Sequence, residues 1–577
     1  MKKFFTICFA LLLFNSFAMA ITKNINLRII ETSDVHGCFF PYDFINRQPM
    51  NGSLARVSTY VNKLRNEYGD NLILLDNGDI LQGQPICYYF NYVNNKMNNV
   101  AADIINYMKY DAVTIGNHDV ETGHKVYDKW LKEVKCPVLG ANVIDVNTDY
   151  PYLKPYVVIN RQNIKIAILG MLTPAIPNWL TDDLWKGLKF NDMVSTARYW
   201  IKYIKEKENP DFIVGLFHSG NEGGITNSEY CENASFAVAR EVPGFDVILY
   251  GHDHVKRSNI IKSNAGDDVL CLDPSCNAIF VSDAQINVTI KNGKIIDKKV
   301  IGSVHDICSE EVDNKFLSNF NSQIDSVKNY VDRKIGDFKQ SIYTRDCYFG
   351  NSPFTDFILN LETSISGADI AFNAPLSFNI CINEGPVYVS DMFKLYRFEN
   401  QLYTLKMTGK EIHDYLEMSY DLWVNTMKSP EDHIMLLNEQ TQGDMQRYGF
   451  QNFTFNFDSA SGINYIVDVT KPNGKKVTIL NMTNGQPFVY DKWYKVAMNS
   501  YRGNGGGELL TKGAGIPLDS ITNRILTRSE LDLRYYLMKE IEKMKTVYPK
   551  ANNNWKFVPE EWSIPAIARD KQLLFGK

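Results

Sequence analysis

Along residues 25–305, short apolar β-branched runs alternate with stretches of helical period. The runs include INLRIIETSD, NLILLDNGD, YDAVTIGNHD, KIAILGMLTP, DFIVGLFHSG and FDVILYGHDH; amphipathic stretches such as LARVSTYVNKLRNEYG and MVSTARYWIKYIKEK lie between several of them. A short apolar run bounded by turn signals predicts a buried strand, and an i, i+3/i+4 stripe predicts a helix packed against it. The alternation predicts an α/β layered region. Its end, about residues 278–301 (IFVSDAQINVTIKNGKIIDKKVI), predicts a hairpin turning at Asn-Gly, so the region closes in antiparallel strands.

Residues 309–336 (SEEVDNKFLSNFNSQIDSVKNYVDRKIG) are polar and free of proline with one apolar stripe, which predicts a single long helix connecting two regions. Beyond it an α+β region is expected: SPFTDFILNLETSISG as a helix, ADIAFNAPLSFN as a strand and loop, and Gly503-Asn504-Gly505-Gly506-Gly507 as a flexible loop. The stretch from about 528 to 547 is expected to be helical, followed by a Trp- and Pro-bearing tail. Residues 1–20 have the pattern of a cleaved signal peptide: Lys2 and Lys3, an apolar run from Phe4 to Phe14, then Ala18-Met19-Ala20. Export is therefore expected, to the periplasm or the cell exterior, with no integral membrane segment after cleavage.

The chain of 577 residues is long enough for two or more domains, and its 45% hydrophobic and 22% charged residues are those of a globular protein. A net charge of −5 argues against a surface built to hold a nucleic acid polymer. After signal cleavage nine scattered cysteines remain, too sparse for a disulfide framework, although Cys271 with Cys276 is a candidate bridge.

The chemistry lies at the strand ends. Asp34-Val35-His36, Gly78-Asp79, Asn117-His118-Asp119, His218 and His252-Asp253-His254 each fall just after an apolar run. Ligands of open α/β folds collect at the carboxyl ends of strands, so these segments should converge. Carboxylates, imidazoles and an amide oxygen suit Zn, Mn, Co or Fe. The donors are too many for one tetrahedral ion; two divalent ions about 3.5–4 Å apart, sharing a carboxylate, fit the set. Such a pair activates water and neutralises phosphoryl oxygens, which points to hydrolysis of a phosphate ester. Asp253 is read as a solvated acid, and His124, His305, His413 and His433 as surface or core residues.

In this order, Asp-x-His, Gly-Asp-x-x-x-Gly (Gly78, Asp79, Gly83), Gly-Asn-His-Asp (Gly116 to Asp119), a lone His and Gly-His-x-His (Gly251 to His254) resemble the calcineurin-like metallophosphoesterases. With its carboxyl-terminal region the chain resembles the exported bacterial 5′-nucleotidases and 2′,3′-cyclic-nucleotide 2′-phosphodiesterase/3′-nucleotidases. The resemblance implies a two-layered α/β/β/α metallophosphoesterase domain over residues 21–308, joined by the helix at 309–336 to an α+β nucleotide-binding domain over 337–577. It further implies that Asp34, His36 and His254 hold one metal, that Asn117, His218 and His252 hold the second, and that Asp79 bridges. His118 would stabilise the phosphoryl or leaving oxygen, oriented by Glu121 where many relatives have Asp.

By the same resemblance two aromatic side chains sandwich the base of a nucleotide substrate. Phe398, in LYRFENQLY, and Tyr501, in NSYRGNGGG, occupy matching positions; Tyr396 competes for the first, and Asn400 is placed to bond the base edge. Where 5′-nucleotidases usually carry Asn-x-Gly-Gly-x-Arg, this chain has Asn373-Ala374-Pro375-Leu376-Ser377-Phe378. Phenylalanine cannot pair with a phosphate dianion. The departure favours the cyclic phosphodiesterase/3′-nucleotidase branch over a 5′-nucleotidase or UDP-sugar hydrolase, and the complete ligand set argues against a catalytically silent nucleotide-binding relative.

Overall fold

The structure, a computed structural model, describes residues 22–441 and 447–576, so the signal-peptide expectation lies outside the described residues. Two six-stranded sheets face each other in the amino-terminal domain. One runs Lys294–Asp306, Phe280–Lys291, Thr22–Thr32, Leu72–Asp76, Ala112–Thr114, Val138–Leu139; the other runs Lys256–Lys262, Asp268–Pro274, Val247–Tyr250, Phe212–His218, Ile164–Leu172, Tyr156–Arg161. Ile25, Leu27, Ile29 and Ile73 of the first meet Ile166, Ile168, Val214 and Leu216 of the second in a core between the sheets.

Helices cover the outer faces. On Leu54–Tyr68, Leu54, Val57, Val61 and Leu64 recur at helical spacing and face the first sheet, while Lys63 and Glu67 stay in water. Met193–Lys207 and Ser235–Glu241 cover the second sheet in the same way. The layers are α/β/β/α, as expected. Every residue of Phe212–His218 is buried, as befits a central strand covered on both faces. The expected hairpin forms between Phe280–Lys291 and Lys294–Asp306, and Asn292 and Gly293 both take positive φ, 52° and 77°, as a two-residue primed turn requires.

The long helix forms over Asn314–Val331, shorter at both ends than the pattern predicts because Asp313 caps it and Lys334–Phe338 continues as a strand. It packs tightly on the amino-terminal domain: Phe316 and Phe320 insert beside Phe40 and Tyr107 in the core under the first sheet. The carboxyl-terminal domain is α+β around a five-stranded sheet in the order Ser459–Ser461, Ile370–Asn373, Trp493–Asn499, Gln401–Thr408, Ile525–Asp532. The expected helix appears as Pro353–Ser366, capped by Ser352 and closed by Gly367 in the left-handed region.

Two expectations are corrected here, the helix from about 528 and the flexible glycine-rich loop. Ile525–Asp532 is an edge strand paired with Gln401–Thr408, and helix begins only at Leu533, capped by Asp532. The tail is ordered as the strand Trp555–Val558 and the helix Glu560–Phe575. The glycine-rich loop is packed: the Arg502 guanidinium, paired with Asp458, donates to Gly506 O at 2.6 Å and Asn456 Oδ1 at 3.1 Å. Cys271 and Cys276 are both unbridged and buried, the places of small hydrophobes.

Candidate metal centre

Parallel pairing aligns the carboxyl ends of Thr22–Thr32, Leu72–Asp76 and Ala112–Thr114 in one sheet and of Phe212–His218 and Val247–Tyr250 in the other. The five expected segments leave these ends and meet between the sheets. Asp34, His36, Asp79, His252 and His254 all take positive φ, between 48° and 80°. Side chains rarely adopt this conformation, and such residues cluster at functional sites. Gly78 has φ 85°, and a Cβ there would lie 2.5 Å from the Gly116 nitrogen, so glycine lets the Asp79 loop run flush against the loop carrying Asn117.

The predicted ligands come together. Asp34, His36, Asp79 and His254 each place a ligand atom within 4.8 Å of the others. His254 Nε2 lies 3.2 Å from Asp34 Oδ1 and 3.1 Å from His36 Nε2. His218 Nε2 lies 3.2 Å from Asp79 Oδ2 and 3.1 Å from Asn117 Oδ1. The His252 and His218 rings are 5.4 Å apart, and His252 N–H donates to Asp34 Oδ2 at 3.0 Å. Asp34 Oδ1 is buried and receives no hydrogen bond of good geometry. Two imidazole nitrogens facing each other and an orphaned carboxylate oxygen are poorly satisfied by one another and well satisfied by a cation. The donor set fits divalent ions.

Burial opposes a charge on His218 and His254, but Asp79 and Asp34 raise the first to about 10 and Asp34 raises the second well above the usual range, so a cation binding here displaces protons from these rings. Burial works to raise the Asp34 and Asp79 carboxyls, yet His218, with His254 at Asp34 and His118 at Asp79, holds both well below the usual range. Burial and the neighbouring His254 push His36 down to about 3, so it is a neutral imidazole with a lone pair to offer.

His118 stands at the rim, its main-chain N–H on Asp79 Oδ1 at 2.8 Å and its Nδ1 on Glu121 Oε2 at 2.5 Å. The longer acid therefore reaches. Burial opposes a charge on His118, but Asp79 and Glu121 outweigh it and hold the ring up at about 9. With Nδ1 engaged, Nε2 is the nitrogen left to give a proton.

Two acids take roles set by the fold that the sequence pattern does not assign. Asp119 is fully buried and accepts four main-chain N–H groups: Asp79 and Gly116 at Oδ2, Ile80 and Leu81 at Oδ1, all between 2.7 and 2.9 Å. Glu232 faces His252 Nε2 at 3.2 Å. A Gly-Asn-His-Asp box followed by a turn is the only trace of the first; nothing local marks the second. Asp253 is not solvated as expected: its Oδ2 accepts from Arg257 at 2.5 Å and from Asn221 N–H at 3.3 Å.

From the second domain, Phe398 lies parallel to the His118 ring, tilted by 11° with centroids 6.5 Å apart, and Arg397 stacks over it. Tyr501 is half-buried, with Phe455 edge-on at 6.0 Å. Tyr396 is fully buried in the core and cannot serve as a stacking surface; Asn400 is buried too, its amide 3.5 Å from the Tyr396 hydroxyl. Phe378 stacks between Tyr448 at 4.4 Å and Phe575 at 4.6 Å. Contacts of Tyr88 with Asp532 at 3.0 Å and of Arg528 with Asp182 at 3.1 Å join the two domains.

The family profile for calcineurin-like phosphoesterases matches residues 27–256, and that for the 5′-nucleotidase C-terminal domain matches residues 334–512. The chain is a calcineurin-like phosphoesterase with a 5′-nucleotidase C-terminal domain. It is accordingly a phosphoester hydrolase of a family that uses divalent metal ions. Among similar proteins, the trifunctional nucleotide phosphoesterase protein YfkN of Bacillus subtilis is 27% identical over 93% of this chain; this chain spans only 39% of that relative's length. A 2′,3′-cyclic-nucleotide 2′-phosphodiesterase/3′-nucleotidase of Haemophilus influenzae is 27% identical over 94% of this chain and 89% of its own. A 5′-nucleotidase of Vibrio cholerae is 29% identical over 45% of this chain and 47% of its own. In fold, the phosphoesterase is similar to a solved Staphylococcus aureus structure (TM-score 0.76, 20% identity, 92% of this chain and 99% of that one). It is also similar to a 5′-nucleotidase precursor of Thermus thermophilus (TM-score 0.64, 19% identity, 93% and 100%). Among the described residues no helix is long and apolar enough to cross a membrane.

Proposed function

We propose that the protein is an exported two-metal phosphoesterase that opens 2′,3′-cyclic nucleotides to 3′-nucleotides and then removes the 3′-phosphate. The observation that carries this branch is Phe378, locked in an aromatic stack where 5′-nucleotidases usually present an arginine to phosphate. The relatives named for the cyclic activity support it, because they align over 92–94% of this chain, whereas those named 5′-nucleotidase or UshA align over 45–68%.

Asp34, His36 and His254 would hold one divalent ion and Asn117, His218 and His252 the other, with Asp79 shared. Such ions, when bound, supply Lewis acidity and an activated water. The chain's own residues do the rest. As the water oxygen bonds to phosphorus and releases one proton to solvent, the P–O2′ bond breaks and the Nε2 proton of His118 passes to O2′; the ring then takes a proton back from solvent. Glu121 on Nδ1 keeps the ring oriented while that proton leaves. Phe398 and Tyr501 would stack on the base, a mode of binding that tolerates different bases; Asn400, buried against Tyr396, is not given the base edge.

Turnover of 2′,3′-cyclic AMP, 3′-AMP, 5′-AMP and UDP-glucose, measured side by side with Mn²⁺, tests the reading. A higher kcat/KM for 5′-AMP or UDP-glucose than for 2′,3′-cyclic AMP sinks the branch. Export is tested by fractionating expressing cells; full-length chain retained in the cytoplasm refutes it.

A further inference from the structure

The imidazoles of the centre are tied down at their second nitrogen. His36 Nδ1 faces Gln82 O at 3.1 Å, His218 Nδ1 faces Asn77 O at 2.6 Å, and His118 Nδ1 faces Glu121 at 2.5 Å. At His252 the engaged nitrogen is instead Nε2, and its partner is a carboxylate from a different loop, Glu232 Oε1 at 3.2 Å.

Glu232 is held on every side. It lies in the short strand Cys231–Asn233, and its side chain is 14% exposed. Its other oxygen, Oε2, accepts the Ile225 N–H at 2.7 Å. Its carbonyl accepts the hydroxyls of Thr173 at 3.0 Å and Ser219 at 2.8 Å. Ser219 directly follows the ligand His218, so the loop bearing Glu232 is anchored to the same strand end as the second-ion ligands.

We infer that Glu232 is a positioning residue for the second metal ion, acting through His252: it accepts the Nε2 proton and so presents the Nδ1 lone pair to the ion. This rests on the paired-ion reading above. A neutral imidazole carries one proton, and a carboxylate at one nitrogen decides which nitrogen keeps it. The same carboxylate fixes the orientation of the ring. The main chain of His252 is pinned at the other end by Asp34 Oδ2 at 3.0 Å, so the ring is fixed between a carboxylate of the first-ion set and Glu232. Removing Glu232 frees the ring to rotate and lets the proton move to Nδ1, which blocks the ligand position. The expected loss is of the second ion alone, since His36, His254 and Asp34 do not touch Glu232.

The experiment counts and titrates Mn²⁺ on the full chain by calorimetry and elemental analysis. Native protein is compared with Glu232→Leu, Glu232→Gln and His254→Ala, each checked for folding by circular dichroism. Glu232→Leu should bind one ion at native affinity and the second roughly 10–100-fold more weakly. Glu232→Gln, which keeps an oxygen for the Nε2 proton but not the charge, should fall between. His254→Ala should lose the other ion and leave the Glu232-dependent one. A folded Glu232→Leu that binds both ions at native affinity overturns this inference alone. A native chain that binds a single ion overturns the paired-ion reading and this inference with it.

Discussion

Replacing Asp119 by asparagine changes one atom and should disable the centre without touching a ligand. The native carboxylate accepts two N–H groups at each oxygen, from Ile80 and Leu81 at Oδ1 and from Asp79 and Gly116 at Oδ2, in a fully buried position. An asparagine oxygen can keep two of these. Its amide nitrogen then points donor against donor at the other two. Each buried N–H left without an acceptor costs about 1–3 kcal/mol, so the pair costs about 4 kcal/mol. At about 2–4 °C per kcal/mol for a domain of this size, the melting temperature should fall by about 8–16 °C. The released N–H groups belong to the loop of Asp79 and to the residue before Asn117, so ligand geometry moves as well. A misplacement of about 1 Å costs on the order of 100-fold in rate. Differential scanning fluorimetry and Mn²⁺ titration of Asp119→Asn read both effects. A variant that melts within about 2 °C of native protein and binds Mn²⁺ unchanged would falsify the assignment of Asp119 as the clamp of this loop.

Three further outcomes are expected. His118→Ala should lower kcat on bis-p-nitrophenyl phosphate by about 10²–10⁴ while Mn²⁺ stays bound, and Glu121→Gln should lower it less; a His118→Ala rate within about threefold of native rules out proton donation from this ring. Phe398→Ala and Tyr501→Ala should each weaken nucleotide binding by about 1–3 kcal/mol, seen as a higher KM, yet leave bis-p-nitrophenyl phosphate, which has no base, unaffected; equal losses on both substrates contradict stacking. Dialysis against a strong chelator should abolish turnover, and Mn²⁺ or Co²⁺ should restore it; activity that survives complete removal of metal, confirmed by elemental analysis, refutes a metal-dependent centre.

Much of the centre is legible in the sequence because a buried strand writes itself as an apolar run, and the first polar residues after it are the strand-end loop. Asp34, Asp79, Asn117, His218 and His252 are all found that way. Asp119 is found that way too but its role is not, and Glu232 is not found, because what they do depends on partners 38 to 40 and 20 positions away that only the folded chain supplies. The segment Ile525–Asp532 misleads for a different reason. ILTRSELD carries good helix formers, and its place at the sheet edge leaves few buried positions to write an apolar run; pairing with Gln401–Thr408 overrides the local preference. For the tail the sequence pattern assigns no element. Pro559 in fact precedes the helix and Pro565 lies within it, where contacts of Trp562 and Ile567 with the second-domain core hold the helix in place.

The centre is folded against local preference, and that explains why its loops interlock. Asp34, His36, Asp79, His252 and His254 sit in the left-handed region, each at a cost of order 1–2 kcal/mol, together comparable with the net stability of a whole domain. No single loop offsets that by itself. The offset comes from bonds between loops: Asp34 N–H to Gly78 O and His36 N–H to Asp79 O at 3.0 Å, Asn277 N–H to Asp34 O at 2.8 Å, and His252 N–H to the Asp34 carboxylate. The loops of Asp34 and Asp79 are thus tied to each other through main-chain groups, and the His252 turn of the second sheet is tied to them through the Asp34 carboxylate. The candidate ligand side chains are then aimed by strand-end backbone fixed in the domain core. A loop freed from its neighbours would relax toward ordinary φ, which turns the Cβ and the ligand atom away from the centre. The two facing sheets therefore do more than bury hydrophobic surface: they bring opposing strand ends close enough to exchange those bonds, and the strained ligand loops persist because of it.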